Sequence, residues 1–180
     1  MAVACEQRSL EGSLERVEQL FRAHHERVLR AAYRISGNMA DAEDVAQTVF
    51  IRLAGAGGQI DNPESYLYRA AINGALDLIR RRQGEREVAL DLASGVASTA
   101  PENSPERQLS SGELGKWLRK AIAALSPRSA EMFVLRYIED RDSREIAQLM
   151  GTSRAVVAVT LHQARAKLKK QFQLLMRGER

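Results

Sequence analysis

Cysteine occurs once in the 180 residues, at Cys5. No internal disulfide can form, and no zinc ligand set can be assembled around one thiol. A lone cysteine suits a reducing compartment, and a cytoplasmic protein is expected. Phe, Tyr and Trp make up only 5% of the chain. So few aromatics argue against a β-sandwich and against a surface built for stacking unpaired bases. No apolar run approaches the roughly 20 residues that span a bilayer, so membrane insertion is not expected. The opening MAVAC is too short for a signal-peptide core and is followed by charge. Phosphate-cradling loops, a nucleophile elbow and metal-ligand spacings are also missing. His24 and His25 lie in a helical stretch with no cysteine or paired carboxylates spaced to join them. Catalysis, a bound metal and an organic cofactor are therefore not expected.

What the chain does contain is alanine, leucine, arginine and glutamate, the residues of helices. Apolar positions recur at helical spacing, and strand-like alternation is limited to Val88, Leu90 and Leu92. The expected class is all-α: two small helical domains joined by a flexible acidic linker, the second containing a helix-turn-helix. Residues 1–13 read as a loose N-terminus, 14–83 as the first domain, 84–112 as the linker and 113–180 as the second. The net charge of +4 is unevenly spread. The linker carries five acidic and two basic residues; the last domain carries 14 basic and seven acidic. A basic C-terminal third points to a polyanion, nucleic acid first of all.

In the first domain, Val17, Leu20, Phe21, Val28, Ala31, Ala32 and Ile35 predict one helix. Ser36-Gly37-Asn38 ends it, with Gly37 as a left-handed cap. A second helix runs from about Ala40 to Leu53, with Ala42, Val45, Ala46, Val49, Phe50 and Leu53 inward. Asn62-Pro63 opens a third, which ends in Arg80-Arg81-Arg82. In the second domain, Trp117, Leu118, Ile122 and Leu125 predict an inward helix face. Ser126-Pro127 caps the next helix, which carries Met132, Phe133, Leu135 and Ile138.

The stretch EIAQLMGTSRAVVAVTLHQARAKLKK, Glu145 to Lys170, has the features of a helix-turn-helix. Ala147 is small enough for a close crossing, and Gly151 permits the positive φ of the turn, where any side chain is expected to clash. Ile146, Leu149, Met150, Val157 and Leu161 face inward, and Ser153 caps the second helix. An ordinary αα-hairpin is the competing reading. In a helix-turn-helix, the N-terminal part of the second helix meets base edges. Ser153, Arg154, Ala155 and Ala158 are the candidates there, with Arg144, His162 and Arg165 placed for phosphates. Arg154 can pair bidentately with guanine, which discriminates by roughly 1–3 kcal/mol. The remaining grip is weak, so a lone module of this kind needs a dimer partner or a tether.

On the second helix, Asp41, Asp44, Gln47 and Thr48 form a polar stripe opposite the apolar face. On the third, Arg69, Asn73 and the three arginines suit a DNA backbone. DAEDVAQTVFIRL resembles the polymerase-binding segment of bacterial extracytoplasmic-function sigma factors. YLYRAAINGALDLIRRR resembles the helix that such factors lay on the −10 promoter element, and LSPRSAEMFVLRYIEDRDSREIAQLMGTSRAVVAVTLHQARAKL resembles their −35-binding domain. The resemblance covers about Leu14 to Phe172.

That resemblance implies a transcription initiation factor. Asp41, Asp44, Gln47 and Thr48 would dock on the β′ clamp helices of core RNA polymerase, and the second domain on the β flap. Arg69 and Asn73 would meet the −10 element of promoter DNA, Arg80, Arg81 and Arg82 its phosphates. The loop from Gly55 to Asn62 would capture a flipped base, and an anti-sigma factor would be a further partner. The family usually has glutamate where Thr48 stands, Thr-Val-Lys-Ser-Arg where Val156 to Thr160 stand, and arginine at Gln163. The −35 element is then read by shape and methyl contacts, or contributes little. A stand-alone helix-turn-helix regulator is the alternative function.

Overall fold

The computed structural model describes residues 2–56, 60–93 and 111–177. Seven helices and no strand make up these residues, as the all-α reading expects. A first block comprises α1 (Ala2–Ser36), α2 (Met39–Gly55) and α3 (Pro63–Ala93). A second comprises α4 (Ser111–Ala123), α5 (Pro127–Tyr137), α6 (Ser143–Leu149) and α7 (Arg154–Arg177).

The first core is built at helical spacing. All six inward positions expected on α2, from Ala42 to Leu53, are buried. They meet Val28, Ala31, Ala32 and Ile35 of α1, and Leu67, Ala71, Ile72, Ala75 and Leu76 of α3. Each large aliphatic side chain taken fully out of water stabilises the fold by about 1.5–3 kcal/mol. Phe21, expected inside, is 42% exposed. Its ring still meets Phe50 edge-on at 4.9 Å, so it closes the rim of the core. In the second block, Ile122, Met132, Leu135, Ile146, Val157 and Leu161 are buried together. Leu118 is exposed instead of inward, while Trp117 packs its ring against Phe172 at 5.5 Å.

Two expected boundaries move. Helix α1 begins at Ala2, so the chain before Leu14 is helical rather than loose. Helix α3 continues to Ala93, ten residues past Gln83, where the sequence pattern weakens. The run EREVALDLA contains good helix formers, and one glycine, Gly84, costs only about 1 kcal/mol in a helix interior. Of the rest of the expected linker, 94–110 lie outside the described residues, and Ser111 and Gly112 already belong to α4.

The turns follow local chemistry. Gly37 has φ +69° and ends α1; Asn38 accepts a hydrogen bond from the Asp41 N–H at 3.3 Å and starts α2. Asn62 does the same for α3, accepting from the Ser65 N–H at 3.0 Å. Ser126 departs from expectation. Its hydroxyl donates to Ser129 Oγ at 2.8 Å and accepts no backbone N–H, leaving Pro127 to set the first turn of α5.

In the helix-turn-helix, Asp142 accepts from the N–H groups of Arg144 and Glu145, and Glu145 accepts from the Asp142 N–H. These backbone donors hold both carboxyls below the ordinary carboxylate range. Their contribution to α6 is therefore present at neutral pH and is lost as acid brings the pH through those lowered values. Gly151 has φ +58°, and a Cβ added there would meet nothing within 4 Å. Gly151→Ala should thus cost only the backbone strain, about 1–2 kcal/mol, measurable by urea unfolding. A larger loss would mean that the turn is crowded after all.

Candidate nucleic-acid and partner interfaces

The polar stripe expected on α2 divides into two parts. Asp44, Gln47 and Thr48 are exposed, and the Thr48 hydroxyl donates to the Asp44 carbonyl at 2.8 Å. Asp41 is buried instead, at 5% exposure. Its carboxylate takes both Nη groups of Arg82, with Nη2 to Oδ1 at 2.6 Å. That hydrogen bond, foremost, raises the Arg82 pKa further. The cause is geometric: the packing of α3 on α2 lays Arg82, in the second half of α3, beside the α2 N-terminus. Asp41 is therefore not a free docking residue, and Arg82 is not a free cation for phosphate. Ile51 extends the exposed part of the stripe, 68% exposed and seven residues beyond Asp44. Helical spacing from Asp44 and Gln47 was the available signal for it.

The expected DNA face of α3 is only partly open. Arg69 donates from Nε to Glu131 of α5 at 2.6 Å and from Nη1 to the Leu149 carbonyl at 3.2 Å. Asn73 is half-buried one turn along. Arg80 donates to the Ala123 carbonyl at the end of α4, at 2.8 Å, and to Asp77 at 2.6 Å. Of the three terminal arginines, Arg81 is exposed with no hydrogen-bond or ion-pair partner among the described residues. In the expected base-capture loop, Gly55 closes α2 and Asn62 caps α3, while 57–59 lie outside the described residues.

Helix α7 presents the two faces its sequence anticipates. Val157, Leu161, Ala164 and Leu168 are buried against α5 and α6. Ser153, Arg154, Ala155, Ala158, His162 and Arg165 are exposed, as is Arg144 on α6. Ser153 Oγ accepts from the Val156 N–H at 3.3 Å, the expected cap. Val159, at 58% exposure, adds an apolar side chain beside Ala155 and Ala158. The face thus offers a few cations around a small apolar patch.

Residues 20–85 match the sigma-70 region 2 family, and residues 115–168 match sigma-70 region 4. The ECF RNA polymerase sigma factor SigE of Mycolicibacterium smegmatis is 34% identical over 154 residues, 84% of this chain. The chain belongs to the extracytoplasmic-function sigma factors. It spans 60% of the length of that SigE relative. It covers 88% of the RNA polymerase sigma-E factor of Streptomyces coelicolor, at 28% identity over 89% of this chain. CnrH, solved in complex with the cytosolic domain of CnrY, shares the fold at TM-score 0.51 and 23% identity, covering 93% of this chain and 94% of that one. The two region matches fall on the two helical blocks of this sigma factor, with α1 to α3 carrying region 2 and α4 to α7 region 4. Among the described residues, no helix is long and apolar enough to cross a membrane.

Proposed function

We propose that this sigma factor binds core RNA polymerase in the cytoplasm, directs it to promoters through −10 and −35 elements, and assists melting. Its work is binding rather than catalysis. The exposed part of the α2 stripe, Asp44, Gln47 and Thr48, faces the β′ clamp helices. Asp41 acts behind that surface by holding Arg82. Arg69, Asn73 and Arg81 of α3 serve the −10 element, with Arg80 joining them once released from Ala123. Helices α6 and α7 serve the −35 element, and the second block docks on the β flap. An anti-sigma factor is the expected antagonist.

The observation that carries this reading is the division of polar surfaces. An acidic, uncommitted face lies on α2, and cationic faces lie on α3 and α7, on elements that match region 2 and region 4. The magnitudes agree. Separating a duplex costs about 1.4 kcal/mol per base-pair step, and flipping a base a few kcal/mol more. The few exposed cations on these two faces do not offset several steps. Polymerase supplies the remaining contacts and raises the effective concentration of the weakly gripping α7 face.

Run-off transcription with core polymerase over a randomised promoter library tests the whole reading. Enrichment of paired −10 and −35 motifs is expected. Arg154→Ala should lower −35 discrimination by about 1–3 kcal/mol, roughly fivefold to 150-fold at one base pair. A chain that binds duplex DNA tightly as a dimer, and adds nothing to polymerase, would be a stand-alone regulator instead.

A further inference from the structure

We propose that this sigma factor reads C5-methyl groups in the −35 element: exposed valines of α7 select thymine, and 5-methylcytosine can stand in for it. This deepens, and rests on, the −35 reading of α6 and α7 given above. Val156 is 43% exposed and Val159 is 58% exposed, both within the first two turns of α7. Ala155 and Ala158 are exposed beside them, while Val157 and Leu161 point into the core. The four outward residues are neighbours at helical spacing and make one apolar patch. These turns are the ones a helix-turn-helix sets against base edges.

The fold itself has no use for this patch. Val156 and Val159 add nothing to the core, and valine is a poorer helix former than alanine because its branched side chain is stiff. Hydrogen-bond readout is closed to the same stretch. The Val156 N–H is already taken by Ser153 Oγ at 3.3 Å. From Ala155 to Val159 no side chain can donate or accept a hydrogen bond. Only an apolar group on the partner can favour these side chains over water.

The surroundings select that partner. Arg144, Arg154 and Arg165 are exposed around the patch, and the N-terminus of α7 adds the positive end of its dipole. A phosphate chain fits this rim. Two valines and two alanines are far short of the roughly 800 Å² per partner that a stable protein interface buries. In the major groove every base pair shows polar atoms, and thymine alone adds an apolar one, its C5 methyl. 5-Methylcytosine carries the same group on a G·C pair, where plain cytosine offers only C–H. Arg154 and the phosphate contacts set the register, and the valines discriminate at the neighbouring positions. A C5 methyl on a −35 cytosine therefore turns a base this face passes over into one it holds. Each methyl taken out of water is worth about fourfold in affinity.

The test uses the full chain with core polymerase, on duplex promoters carrying the −35 element that the randomised library enriches. That element should hold thymine at one contacted position or more. Deoxyuridine in its place removes only the methyl and should weaken promoter binding about fourfold. 5-Methylcytosine in place of cytosine at that position should strengthen binding by the same factor. Val156→Ala and Val159→Ala are then measured on the four duplexes, and at least one of them should erase both methyl effects. Both positions are exposed and alanine favours the helix, so the variants should unfold in urea no earlier than wild type. Methyl effects of full size in both variants would belong to DNA shape and overturn the valines as readers. A thymine-free −35 element, deoxyuridine that binds as well as thymine, or 5-methylcytosine that binds no better than cytosine overturns the methyl reading. A library that enriches no −35 motif overturns the premise as well, and that failure is visible before any methyl is removed.

Discussion

Asp44→Arg is expected to weaken association with core RNA polymerase by about a hundredfold or more. A like charge placed in a docking surface costs several kcal/mol, and each 1.4 kcal/mol is tenfold. The fold should hardly notice. Asp44 is exposed, and surface changes of this kind stay within about 0.5 kcal/mol. Asp41→Ala should do the reverse. It removes the bidentate partner of Arg82 and costs the fold about 1.5 kcal/mol, the low end for a charged hydrogen bond. The low end applies because Arg82 is 56% exposed and its guanidinium regains water. Titration of labelled chain with core polymerase, beside urea unfolding, separates the two residues. Unchanged polymerase affinity in Asp44→Arg would end the docking role assigned to the α2 face.

Leu76→Ala should lower the unfolding free energy by about 2–5 kcal/mol, the sum of lost transfer energy and a residual cavity. Leu76 is fully buried in α3, where the first core meets α1 and α2. Domains of this size hold only about 5–15 kcal/mol in total. The variant should therefore show a lower urea midpoint and a loss of activity at growth temperature without any change in the contact faces. Leu174→Ala, at a position 38% exposed, is the control and should stay within about 0.5 kcal/mol. Equal losses at the two positions would mean that the core has been misplaced.

Much of this architecture is legible in the chain because it is local. The inward face of α2, the left-handed Gly37 and Gly151, the Asn62-Pro63 start of α3 and the Ser153 cap each depend on residues within a turn or two. The errors lie where the deciding partner is distant. Asp41 looks like part of an exposed stripe until Arg82, 41 residues on, occupies it. Arg69 looks free until Glu131, 62 residues away, takes its guanidinium. Periodicity says which face of a helix is polar, and it cannot say which polar residues will find one another. The late start assigned to α1 and the early end assigned to α3 have a different cause. Glycines and serines weaken the apolar rhythm there, but the backbone preference of their neighbours carries the helices on.

The guanidinium of Arg119 over Gly37 ties two positions in different blocks into one history. Any side chain at position 37 would collide with Arg119, besides demanding a left-handed backbone. The guanidinium is the far end of a flexible side chain and can swing aside, so the left-handed backbone, at about 1–2 kcal/mol, is what holds position 37 to glycine. A descendant lineage that changes residue 37 meets that strain first and the displacement of Arg119 only second.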